Sequence, residues 1–155
     1  MAVQEEGGPP AGFSGAVAGL IRYGEKGACG EVLQSALLRE GMGMEGDWHA
    51  GGERQISLLP LELRRWIDAQ TEPGLCFRRF RENILFEGTA VSLAPGTRLR
   101  TGEAALEISV QGKHCFEDCP LFKRGRSCML AGQNLFARVT KSGMVRIGDR
   151  LEIEP

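Results

Sequence analysis

No apolar run in the chain is long enough to cross a membrane; stretches such as Ile56 to Leu61 fall far short of the about 18 residues a span requires. There is no excess of either charge, because 19 Lys and Arg face 20 Asp and Glu for a net charge of -1. That balance argues against a nucleic acid or an anionic membrane as partner and favours a small one. The N-terminus lacks a basic flank ahead of an apolar run and carries Glu5 and Glu6, so a secretory signal is not expected and a cytoplasmic setting is. Absent too are a glycine-rich phosphate loop, a dinucleotide fingerprint and a Gly-x-Ser-x-Gly elbow, which takes the main support from kinase, dehydrogenase and serine-hydrolase readings. In a reducing compartment the five cysteines are expected as thiols or metal ligands rather than disulfides.

What is present is enough for one domain: 155 residues, 42% of them hydrophobic. Residues 1–14 hold Gly7, Gly8, Pro9, Pro10 and Gly12 with little to bury, and read as a flexible tail ahead of a single domain over 15–155. From Gly15 onward short apolar runs are punctuated by glycine: Val17–Ile21, Gln55–Leu59, Asn83–Phe86, Leu99–Arg100, Leu106–Val110, Leu135–Val139 and Leu151–Ile153. Period-two alternation, as in Leu106, Ile108 and Val110 against Glu107 and Ser109, predicts half-buried strands. Ser142-Gly143 predicts the turn of a hairpin between the Leu135–Val139 strand and Val145 to Ile147. The fold expected is mainly β, a meander closing into a barrel, with a few short helices. One helix is predicted from Pro60 to about Gln70, where Leu63, Trp66 and Ile67 share a face, and a weaker one over Glu31 to Arg39.

The chemistry-bearing residues cluster late in the chain. Cys115, Cys119 and Cys128 fall just after the strand that ends at Val110, among Lys113, His114, Lys123, Arg124 and Arg126. Thiolate is the reactive and metal-binding form of cysteine, and neighbouring positive charge favours it. Three uses compete: a sulfur carrier or ligand of a soft metal such as molybdenum, a zinc site completed by His114 or His49, and small buried hydrophobes. Cys29 and Cys76 stand alone and read as structural.

A second polar stretch, Glu45-Gly-Asp-Trp-His-Ala-Gly-Gly-Glu-Arg-Gln, feeds the strand Gln55–Leu59. Asp47 there suits a turn cap and His49 a partly exposed surface position; the functional alternative has His49 and Arg54 lining an anion or cofactor pocket. The run Arg78, Arg79, Arg81 reads as a solvated face or a phosphate contact, and Asn83 as a cofactor contact or a bond to backbone that fixes a turn.

Taken in order, Gly46-Asp47-Trp48-His49-Ala50-Gly51, Arg54-Gln55-Ile56-Ser57, Phe80-Arg81-Glu82-Asn83-Ile84, Gly112-Lys113-His114-Cys115 with Cys119, Phe136-Ala137-Arg138-Val139 and Gly148-Asp149 resemble the MOSC family, named for the C-terminal domain of molybdenum cofactor sulfurases. The resemblance spans roughly residues 15 to 154. It implies a MOSC-type β-barrel and a role in sulfur or molybdenum-cofactor chemistry, with Cys115 at the position of the sulfur-carrying or metal-binding cysteine. Cys119 and Cys128 match further cysteines of a short bacterial subgroup. The chain departs from many relatives in placing Gly51-Gly52-Glu53, rather than a histidine, before Arg54.

The expectation that follows is a molybdenum-cofactor-related sulfur carrier or cofactor-binding domain, a possible sulfur-transferase component. Cys115, Cys119 and Cys128 are its reactive thiols, Cys115 is the molybdenum ligand, and His49, Arg54, Asn83, Lys113 and His114 surround the cofactor. Partners would be a cysteine desulfurase or another sulfur donor, and the molybdenum cofactor or a molybdoenzyme. Pyridoxal phosphate is not expected, since the chain has no room for the aminotransferase-like domain that binds it in larger sulfurases. The alternatives are a non-catalytic domain stapled by zinc and a reductase component acting on N-hydroxylated compounds.

Overall fold

Period-two alternation becomes a closed surface in the computed structural model, which describes residues 14–26, 29–49, 51–69, 81–88, 93–111 and 135–154. The elements are β1 (Ser14–Arg22), β2 (Glu31–Leu33), β3 (Ser35–Arg39), β4 (Gly43–Met44), β5 (Ile56–Pro60), α1 (Leu61–Ala69), β6 (Ile84–Gly88), β7 (Arg98–Thr101), β8 (Ala104–Gln111), β9 (Leu135–Lys141), β10 (Gly143–Arg146) and β11 (Arg150–Ile153). Seven strands run in the order β11, β7, β8, β9, β5, β6, β1, and pairing of Gly15 with Leu151 joins β1 back to β11. Closure leaves no free edge among those seven strands. The fold is mainly β, as the sequence predicts.

One face of each strand fills the interior. Leu135, Ala137 and Val139 are buried while Phe136 and Arg138 are half-exposed, and Leu106 and Ile108 are buried from the neighbouring strand. With Val17, Leu20, Leu58, Ile84, Phe86, Leu99 and Leu151 they form one apolar cluster. Fully burying such a side chain contributes about 1.5–3 kcal/mol, so the barrel interior is the main source of stability.

The pair β5 and β6 is parallel, and a parallel connection needs a long crossover. α1 begins that crossover directly after Pro60, where a proline suits a helix start, and lays buried Leu63 and Ile67 inward. It is the one helix among the described residues.

Two local expectations are corrected. Glu31 to Arg39 is not helical but forms β2 and β3. In β3 Ala36 and Leu38 are buried between exposed Ser35 and Arg39, a period of two, whereas Val32, which a helical stripe would bury, is 75% exposed. The chain after Ser142 does not fold back on β9 as a hairpin either. β10 instead pairs with β3, Met144 against Leu37 and Val145 against Ala36, in a second sheet of order β10, β3, β4. Gly143 makes the departure sterically feasible, since a Cβ there would overlap the Glu103 carbonyl. Ser142 Oγ accepts from the Glu40 N–H at 2.7 Å and ties the corner to the end of β3.

The expected tail falls, but for Ser14, the first residue of β1, outside the described residues. No helix among those described is long and apolar enough to cross a membrane.

Candidate functional site

Where β1 ends and β5 and β6 begin, three strand termini leave backbone groups that no neighbouring strand satisfies, and polar side chains take them. Asn83, fully buried just before β6, spends both amide protons: Nδ2 donates to the Ile21 carbonyl and to Asp47 Oδ1, each at 3.1 Å. Its Oδ1 accepts from the Ser57 N–H at 3.1 Å. Ser57 Oγ in turn accepts from the Asn83 N–H and donates to the Arg81 carbonyl at 2.5 Å. The bonds to backbone expected of Asn83 are thus made, to the Ile21 carbonyl and the Ser57 N–H.

Asp47 is the centre of the cluster. Its side chain is 1% exposed and accepts four hydrogen bonds: Oδ1 from the Tyr23 N–H at 2.7 Å and from Asn83, Oδ2 from the His49 N–H at 3.1 Å and from His49 Nδ1 at 2.7 Å. Burial pushes this carboxyl up, but the bonds from the His49 ring and from the Tyr23 and His49 N–H groups outweigh it and hold the group below its ordinary value. A carboxylate with four donors is acceptor-only, so Nδ1 of His49 is the donor. The His49 ring is also held from its sides. The Trp48 indole lies over it at 4.0 Å between centroids, tilted by 33°, and the Tyr23 ring meets it edge-on at 6.5 Å.

Tyr23 and Glu82 extend the cluster toward the helix. The Tyr23 hydroxyl donates to the Glu82 carbonyl at 3.1 Å, and burial, reinforced by the Glu82 charge, pushes the phenol up to about 12. The buried Glu82 carboxylate takes a two-pronged grip from Arg64 of α1, at 3.0 and 2.6 Å. Burial would lower the Arg64 guanidinium, but the bond and charge of Glu82 raise it above its ordinary value. The helix is thereby fastened to the entry of β6.

The same loop has a second foothold at β8 and β9. Glu53 and Glu107 flank Arg138, with N···O distances of 2.6 and 2.9 Å, and Ser109 Oγ donates to the Glu53 carbonyl. Arg54 is exposed and lays its guanidinium 4.8 Å from the centre of the Phe136 ring. Phe136 is paired with Val110, next to the ends where the chain leaves β8 at Gln111 and returns to β9 at Leu135. Gln55 spans the two footholds, donating to the Gly52 carbonyl and accepting from the Val139 N–H.

The model of the MOSC domain family matches residues 45–152, well over half of the chain. The chain belongs to the MOSC domain family. The match begins at the loop carrying Asp47 and His49 and runs to the barrel-closing strand β11; it includes the outer foothold and, of the inner one, Asp47, Ser57 and Asn83, while Tyr23 precedes it. Solved structures similar to this MOSC domain include the YuaD protein from Bacillus subtilis, 21% identical with a TM-score of 0.70, matched over 90% of this chain and 95% of that one. YiiM from Escherichia coli is 21% identical with a TM-score of 0.58, over 90% of this chain and 70% of that one. YiiM from Geobacillus stearothermophilus is 17% identical with a TM-score of 0.52, over 90% and 73%. Likenesses at this identity concern the fold. Among curated proteins the chain finds no match.

Of the residues expected around a cofactor, the MOSC barrel joins His49 and Asn83 through Asp47, whereas Arg54 stands against Phe136. Lys113, His114, Cys115, Cys119 and Cys128 lie outside the described residues, as does Cys76; Cys29 is exposed. Among the described residues no group of His, Cys, Asp and Glu is arranged to hold a metal ion. Tyr23 and Ser57 escaped the sequence reading, because nothing local marks a single tyrosine after a strand or a serine within one as partners of residue 47 or 83.

Proposed function

We propose that this MOSC domain carries sulfur, or binds the molybdenum cofactor, through the Cys115 thiolate. The observation that supports the reading best is the position of Arg54. An exposed guanidinium is fixed on Phe136 beside the strand ends that bracket 112–134, and Cys115 follows Gln111 by four residues of chain. Four residues span at most about 14 Å, so Arg54 stands near the base of the segment that carries the cysteine. In the carrier form the thiolate attacks the outer sulfur of a donor persulfide. A new S–S bond forms on Cys115, the donor S–S bond breaks, and the donor cysteine leaves as its thiolate.

The molybdenum cofactor suits the same residues. Its phosphate matches a guanidinium donor set such as that of Arg54, and its metal is a soft centre that prefers thiolate, the role assigned to Cys115. When bound it would supply a metal to which sulfur can be attached. Arg54 would orient it by its anionic end, and Cys119 and Cys128 would serve as further thiols.

Intact mass after incubation with a cysteine desulfurase and cysteine tests the carrier form. A gain of one sulfur that disappears in Cys115→Ala is expected; no adduct, or one retained in that variant, defeats it. Titration with isolated molybdenum cofactor tests the other form, in which Cys115→Ala is expected to bind at least tenfold more weakly. Equal affinity removes the ligand role.

A further inference from the structure

We propose that residues 52–54 form an autoinhibitory strap: the Glu53 carboxylate occupies the Arg138 guanidinium in place of a phosphate group, which displaces it on binding and is gripped by Arg138 and Arg54 together. The ligand class, an anion carrying a phosphate group, rests on the role proposed for Arg54.

The strap runs between two fixed ends. On one side the Gly51 N–H donates to the Met42 carbonyl at 2.8 Å. On the other, Gln55 is buried, its side chain accepting from the Val139 N–H at 3.0 Å and donating to the Gly52 carbonyl at 2.9 Å. Gly51 and Gly52 have φ of +81° and +74°, and a Cβ added at either would meet nothing within 4 Å. The pair is unpacked and free in φ, as a hinge requires. Beyond it Glu53 and Arg54 are both exposed.

Three contacts hold the strap beyond Gly52, and each can be given up without orphaning a buried group. Glu53 meets Arg138 at 2.6 Å with the two side chains 64% and 37% exposed, so water replaces the bond, and Arg138 keeps Glu107 at 2.9 Å. Ser109 is the extra residue of a bulge in β8, between Ile108 opposite Ala137 and Val110 opposite Phe136. Its hydroxyl has one proton and two carbonyls in reach, those of Glu53 and Phe136, so it turns to Phe136 when the strap lifts. Arg54 rests on the Phe136 ring from the solvent side, its guanidinium 4.8 Å from the centroid.

With Glu53 in place, the charges of Arg54 and Arg138 are balanced by Glu53 and Glu107. With Glu53 lifted, the face has one cation in excess. Phe136 and Arg138 are two residues apart on β9, so they share its outward face about 7 Å apart along the strand. Arg54 over the first and Arg138 itself set two guanidinium forks along one line, and a tetrahedral phosphate presents oxygens to both. The bond and charge of Glu53, ahead of those of Glu107, hold the Arg138 guanidinium above its ordinary value, which makes Glu53 the principal competitor.

Inorganic phosphate is the probe, titrated at neutral pH against chloride of equal ionic strength while NMR follows the backbone amides and the arginine Nε–H groups. The Arg54 and Arg138 signals are expected to shift with phosphate and not with chloride. The proton–nitrogen NOE of the Glu53 amide is expected to fall as phosphate saturates, with that of Asp47 unchanged. Binding that leaves Glu53 unmoved overturns the strap, and the absence of a phosphate-specific shift overturns the site. Glu53→Gln is expected to bind phosphate about fivefold more tightly, the worth of a surface ion pair that no longer competes, and Arg138→Gln about fivefold more weakly. Glu107→Gln takes the same charge from the same guanidinium but lies off the strap, so a smaller gain is expected. A gain equal to that of Glu53→Gln would reduce the effect to net charge and overturn the autoinhibition.

None of these measurements uses Cys115. Should phosphate displace Glu53 while isolated molybdenum cofactor fails to bind, the strap stands and the cofactor as the source of the phosphate falls. Should the cofactor bind with Glu53 still in place, the strap alone falls.

Discussion

The loop from Glu45 to Gln55 is anchored twice, and the two anchors are built on opposite principles. At one end Asp47, Asn83, Ser57 and Tyr23 satisfy one another and three strand termini in the interior; at the other Glu53, Arg138 and Glu107 meet on the outside of β8 and β9. Buried hydrogen bonds have no water to replace them, so the inner anchor is rigid and its loss is felt globally. The outer anchor competes with solvent and salt, and it can yield without unfolding the barrel. The inner anchor orients one imidazole; the outer one holds an arginine at the ends of two strands.

The largest effect is expected for Asp47→Ala, which strands the Tyr23 N–H and the Asn83 amide. Urea unfolding is expected to show a loss of about 3–4 kcal/mol. The variant should also flatten the acid limb. The folded carboxyl lies below its ordinary 3.8, so between that value and its lower folded value the unfolded chain binds the extra proton and stability falls as pH falls. A wild-type acid slope in the variant would place the linkage elsewhere. Asn83→Ala comes next, at about 2 kcal/mol, since it frees the Ile21 carbonyl and the Ser57 N–H but leaves the carboxylate three donors.

Tyr23→Phe removes one hydrogen bond and is expected to cost about 1 kcal/mol near neutral pH. Its sharper signature is alkaline. The native phenol titrates near 12 against an ordinary 10.0, so between those values the unfolded chain loses a proton that the native protein keeps, and stability declines as pH rises. The phenylalanine variant should lose that decline. The smallest effect belongs to Glu53→Gln at the outer anchor. A slight drop in urea midpoint at low salt is expected to vanish in 0.5 M salt, where the Debye length shrinks to about 4 Å and an exposed pair is largely screened. A large, salt-independent loss would erase the distinction between the anchors.

Much of the barrel was legible because each strand announces itself locally. Val17–Ile21 and Leu135–Val139 lie within strands, Asn83–Phe86 begins one residue before β6, and the helix starts one residue after Pro60. The misreadings came where a local signal competes with a distant partner. Ser142-Gly143 has the composition of a hairpin turn, yet β10 finds more to pair with in β3 than in β9. At the site, the sequence drew attention to His49 and Asn83 but not to the carboxylate between them as the organising group, nor to Tyr23, 24 positions before Asp47.

Sequence alone determined that the chain is mainly β, where most of its strands lie, and which segments carry the MOSC pattern. Those are properties of single stretches, set by side-chain period and residue type. Only the tertiary structure decided that β1 closes on β11, that β10 joins a second sheet, and that His49 Nδ1 is held by the buried Asp47 carboxylate. Such choices depend on competition among segments far apart in the chain for the same hydrogen bonds and the same buried space, and no single stretch encodes its outcome.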